Sequence, residues 1–307
     1  MIELQKTNNG GYMKIKMIKV IIRYNTIYIN VALAVLAYFM TIDIETKEPK
    51  DITNTYNLKI ESYKGRKVFI VSSKKREKTD TVVLYFHGGS YMAEATKQHW
   101  EFIENLIDDT GATVILPDYP LIPKYNYKDV FNMVVPLYKE INDKIDISTR
   151  LVVMGDSAGG GLGLALLERM SQEDNIKMPK KTILISPWLD VRLNNPKIED
   201  VQPKDKKLNR DTLKLSGITY AGDDGINSYL VNPIDGDLSK INNLTIMIGT
   251  NDILNPDVYK LQERAKQNNK EIDIKEYENA GHIWIIDKDS DEEIVKKGYQ
   301  DIIEMIN

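Results

Sequence analysis

Three residues of this sequence could act together as an activated nucleophile: Ser157, Asp252 and His282, in that chain order. The serine stands in Gly155-Asp156-Ser157-Ala158-Gly159, after the apolar run 151–154 and before a helical pattern. A side chain raised at so sharp a strand-to-helix turn needs small neighbours, and glycine stands two residues to either side. A serine hydroxyl is a weak nucleophile until a base takes its proton. The chain has only three histidines, His87, His99 and His282. His282 is the expected base. It follows the last strand-like segment, in Asn279-Ala280-Gly281-His282, where a glycine-led loop can bring the imidazole over a sheet. His99 lies in a helix-like, partly polar stretch beside Trp100 and is expected at a surface or interface.

A third group must orient the imidazole and stabilise the imidazolium that forms. Asp252 is the expected acid, because the apolar run 243–249 leads to it and catalytic groups gather at the carboxyl ends of strands. Asp257, five residues on, reads as the first turn of a helix opened by Asn255-Pro256. Attack on a carbonyl also develops negative charge on oxygen, which needs backbone N–H donors. Ala158 would supply one. Gly88, Gly89 and Ser90, at the end of the apolar run 81–86, are candidates for the rest. His87 and Asp156 complete the two motifs that carry these donors.

These groups need a scaffold. Strand-like segments occur at 67–73, 81–86, 112–119, 150–155, 181–190, 243–252 and 272–282. Helical patterns lie between them, at 97–109, 128–142, 256–268 and 291–306. Several strands are continuous apolar runs, as expected of parallel strands covered on both faces. The alternation predicts an α/β domain with a mostly parallel sheet flanked by helices. Residues 191–230 break the rhythm. They are polar, contain no buried strand and read as a helical excursion at the carboxyl end of a strand, where inserted segments cover sites.

Composition narrows the function. The chain has no cysteine, which excludes thiolate catalysis, disulfides and Cys-ligated zinc. Three histidines also argue against a His-rich metal centre, and no metal or other cofactor is expected. A net charge of −4 with no basic stripe gives no reason to expect a nucleic-acid partner. Near the N-terminus, Lys14, Lys16, Lys19 and Arg23 precede the apolar segment 25–42. A basic flank before an apolar run marks a membrane anchor. The unbroken part, 31–40, is short for a span, which needs about 20 residues. The segment is therefore expected as a helix buried on the main domain, in a cytoplasmic protein, with membrane association through 25–42 as the alternative.

The motifs occur together in one known pattern. His87-Gly88-Gly89-Ser90-Tyr91, Gly155-Asp156-Ser157-Ala158-Gly159-Gly160, the segments 117–123, 186–190 and 249–257, and Ala280-Gly281-His282 resemble, in the same order, the hormone-sensitive-lipase-like branch of the α/β-hydrolases. The resemblance covers roughly 65–305. It implies an α/β-hydrolase fold over 65–307, a helical cap built from the insertion at about 191–230 and from residues 1–64, and hydrolysis of carboxylic esters through an acyl-serine. The expected substrates are short- to medium-chain esters. Lipase, amidase or thioesterase chemistry on the same triad is the near alternative. A silent receptor of the same fold is the alternative of another class. Two departures stand out: Ser90 replaces the branch's usual third glycine, and Pro120 stands where arginine is common.

Overall fold

The computed structural model describes residues 44–146 and 148–307. A short helix α1 (Ile52–Thr55) leads into an antiparallel hairpin, β1 (Tyr56–Tyr63) and β2 (Arg66–Ser73). There follow β3 (Thr81–Phe86), α2 (Lys97–Thr110), β4 (Thr113–Pro117), α3 (Tyr127–Lys144), β5 (Arg150–Asp156) and α4 (Ser157–Met170). Then come β6 (Lys181–Ile185), α5 (Ile198–Val201), α6 (Arg210–Ala221), β7 (Leu244–Gly249), α7 (Asn255–Gln267), β8 (Asp273–Tyr277) and α8 (Glu292–Ile306). Among the described residues eight strands form one sheet in the order β1-β2-β4-β3-β5-β6-β7-β8, parallel from β4 onward.

The central strands are apolar on both faces because both faces are covered. Leu84, Phe86, Val153, Leu184 and Ile246 point into one core, with α3, α4 and α7. Val83, Tyr85, Val152, Met154 and Ile183 point into the other, with α2 and α8. Each buried side chain of this size contributes about 1.5–3 kcal/mol. The sheet holds rigid the row of strand ends from which the functional loops leave.

The expected strands are present, and four of them stop early at their carboxyl ends. The run 181–190 pairs only as far as Ile185, because Ser186 turns left-handed (φ 47°) and Pro187 follows. The run 243–252 stops at Gly249 and 272–282 at Tyr277. Strand β1 had no apolar run to announce it. It is an edge strand with only Tyr56 fully buried. It extends the sheet into 56–63, and the compact body runs from Ile44 to Asn307. The insertion 191–230 contains no strand and does contain α5 and α6. The segment 25–42 lies outside the described residues. Among the described residues no helix is long and apolar enough to cross a membrane.

Candidate active site

Strand β5 runs straight into α4, and Ser157 sits at the join with φ 51°. Such a left-handed conformation costs a non-glycine residue about 1–2 kcal/mol. The turn is tight enough to demand glycine nearby: a Cβ on Gly159 would lie 2.0 Å from the Phe86 carbonyl oxygen. Ser157 is buried, and its Oγ lies 2.9 Å from His282 Nε2. The other ring nitrogen, Nδ1, lies 2.9 Å from Asp252 Oδ2. Asp252 is itself held, since its Oδ1 accepts the Leu254 N–H at 2.9 Å. A carboxylate can only accept, so Nδ1 carries the proton and Nε2 is the acceptor for the serine hydroxyl.

Electrostatics favour the same direction of proton transfer. Burial pushes the His282 imidazole down. The charge of Asp252 and its hydrogen bond push it up by more, and the result stands above the usual histidine value of 6.5. A base with a raised pKa is unprotonated only at higher pH. The acid limb of a kcat/KM profile against pH should therefore fall above 6.5, a result checked by steady-state rates between about pH 5 and 9.

Asp257 is elsewhere. It lies in the first turn of α7, where its Oδ1 accepts from Asn195 Nδ2 at 2.9 Å. Burial pushes its carboxyl up to about 6.

Opposite the serine, the loop after β3 is anchored to Asp156. This carboxylate accepts the Tyr85 hydroxyl at 2.6 Å and the Gly88 N–H at 3.0 Å. A Cβ on Gly88 would fall 2.2 Å from Asp156 Oδ2, so the close approach requires glycine. The Gly88 N–H, a candidate oxyanion donor, thus donates to Asp156. The remaining candidates are the N–H groups of Gly89, Ser90 and Ala158. Ala158 stands in the first turn of α4, where N–H groups lack intrahelical acceptors. Gly89 (φ 123°) and Ser90 (φ 55°) both have positive φ. The serine in place of the branch's third glycine thus occupies a left-handed position, at a cost of about 1–2 kcal/mol.

His99 is not at a surface. It is buried, and its Nε2 lies 3.3 Å from Asp156 Oδ2. Its Nδ1 accepts the Thr96 N–H at 3.0 Å, which places the ring proton on Nε2, facing Asp156. The misreading has a physical cause. Lys97, Gln98 and Glu101 make the stretch look solvated, while the partner carboxylate lies 57 residues away. His87 is structural. Its Nδ1–H donates to the Gly88 carbonyl at 2.7 Å and its ring stacks on Tyr119. Burial, with His99 nearby, pushes its pKa down to about 4. Near Pro120, Asp118 is held by Arg66 of β2, a buried guanidinium 3.0 Å from its Oδ2.

Comparison with known proteins agrees with this fold. A family model described as the α/β-hydrolase fold matches residues 83–286. An esterase of Acinetobacter venetianus is 27% identical over 205 residues, covering 66% of this chain and 67% of its own. An acetyl-hydrolase of Streptomyces hygroscopicus is 25% identical over 202 residues, with coverages of 66% and 67%. A solved esterase of the bacterial hormone-sensitive lipase family superposes with a TM-score of 0.72 at 23% identity, covering 85% of this chain and 84% of that one. The chain belongs to the α/β-hydrolase fold family.

Proposed function

We propose that this protein is a serine carboxylesterase acting on short- to medium-chain esters through an acyl-Ser157 intermediate. The observation that supports this most is the unbroken hydrogen-bonded series Ser157–His282–Asp252 on a left-handed strand-to-helix turn. In this reading Ser157 Oγ attacks the ester carbonyl as its proton passes to His282 Nε2. The tetrahedral oxyanion is met by the N–H groups of Gly89, Ser90 and Ala158. His282 then gives the proton to the departing alcohol. Water, activated by the same imidazole, attacks the acyl-serine. The acid is released and the serine hydroxyl restored. Asp252 keeps the imidazole in the required tautomer throughout.

Names of relatives point to the same substrates, since one is an esterase and another an acetyl-hydrolase. A receptor lacking catalysis needs no histidine within bonding reach of the serine, and here it is 2.9 Å away. The insertion 191–230 is the cap in this reading. Helix α6 packs toward the site, with Tyr220 stacked on Tyr91, the residue after Ser90, at 3.6 Å between ring centres. A capped apolar site holds a finite acyl chain. In a p-nitrophenyl ester series from acetate to palmitate, kcat/KM should peak among short and medium acyl groups and drop toward palmitate. A steady rise to palmitate, with activation at an oil–water interface, would make the protein a lipase instead.

A further inference from the structure

The insertion touches both loops that carry the acid and the base, through one tight turn. Asp205 Oδ1 accepts the N–H groups of Lys207 at 2.9 Å and Leu208 at 2.8 Å, closing the turn. Its second oxygen, Oδ2, accepts the Ile253 N–H at 3.0 Å. Ile253 directly follows Asp252, so this bond fixes the peptide next to the catalytic acid. The same turn reaches the other loop through Lys207, whose Nζ lies 2.5 Å from Asp287 Oδ2, five residues beyond His282. Asp205 is half-buried, and the chemistry described above gives it no task.

Two independent features give it one. The first is the bond to Ile253. With the Leu254 N–H on Asp252 Oδ1, it leaves the acid's loop with consecutive N–H groups tied down. The second is charge. The largest fields on the His282 imidazole come from Asp252, Asp205 and Asp156, all carboxylates. We propose that Asp205 is a positioning residue for the Asp252–His282 pair: it ties the insertion to the acid's loop and lends the imidazole a second stabilising negative charge. The proposal rests on the esterase reading. It makes the base sensitive to where the insertion sits. Displacing the turn from Ile253 would loosen the acid's loop and weaken the imidazole as a base at once. Exposed ion pairs contribute little by themselves, so Lys207–Asp287 acts as a tether and Asp205 as the source of the effect.

The sign of the expected change follows from the charge. Removing a negative group near an imidazole disfavours its protonated form. The acid limb of kcat/KM in Asp205→Asn should therefore move to lower pH, by about half a unit for a partly solvated charge. The plateau should fall about threefold to tenfold with little change in KM, because oriented base rather than substrate contact is lost. Asp205→Ser keeps an acceptor that closes turns of this kind and should shift the limb equally, which covers the case of an asparagine variant that does not fold. Asp205→Glu retains the charge and should keep the limb near the wild-type position. The probe is p-nitrophenyl acetate, assayed from about pH 5 to 9 in all four proteins. A lowered plateau with an unmoved limb in the neutral variants would reduce Asp205 to a structural turn and overturn the proposal. So would a glutamate variant shifted as far as the asparagine one. A wild-type protein without ester hydrolysis would instead remove the esterase reading, and the proposal with it.

Discussion

Ser157→Ala should lower kcat by about 10⁶-fold, the loss that follows when a nucleophile acting as a unit with its base is removed. The substitution removes one oxygen from a buried position whose partner is His282 Nε2. Alanine also adopts the left-handed conformation at a cost similar to serine's, so folding should survive. Thermal unfolding near the wild-type temperature, beside an ester hydrolysis rate close to background, is the expected pair of results. A variant with a tenth of wild-type kcat would mean that another nucleophile or a bound water does the work.

Asp252→Asn should depress kcat by about 10⁴-fold while leaving the fold intact. An asparagine amide can present an N–H to Nδ1, which then becomes an acceptor. The proton moves to Nε2, and the imidazole can no longer receive the serine's. The matched control is Asp257→Asn. That carboxyl bonds Asn195, and its pKa is raised by burial to about 6, so at pH 7 the folded state carries a charge it would more readily hold protonated. Neutralising it should leave kcat near wild type and should not lower stability at pH 7. Steady-state kinetics of the two variants decides the acid, and a reversed order of effects would place it at Asp257.

The hydrogen-bonded row Ser157–His282–Asp252 was legible because each member stands where the sequence changes character. Ser157 and Asp252 follow apolar runs that end at glycine or at a short polar loop. His282 follows the last strand and a glycine. With so few histidines there was little room for another base. What could not be read was direction. Gly88, Gly89 and Ser90 are equivalent donors in the sequence. Only the position of the Asp156 carboxylate, brought beside the loop by pairing of β3 with β5, shows that the Gly88 N–H donates there. His99 was hidden for the same reason, since its partner comes from another strand end. Strand β1 was missed because an edge strand exposed on much of its surface need not carry an apolar run. Asp205 lies in a run of lysines and aspartates that reads as a solvated turn; its bond to Ile253 exists only once the insertion has folded back over the strand ends.

The claim on which the rest depends is that Ser157 becomes covalently bound to the acyl group. A p-nitrophenyl phosphonate reacts with an activated serine and stops at the stage that resembles the tetrahedral intermediate. Wild-type protein treated with it should gain one phosphonyl group, lose activity in step with labelling, and yield a modified peptide with the adduct on Ser157. Folded protein that gains no label, or carries it on another residue while activity is lost, would contradict the account.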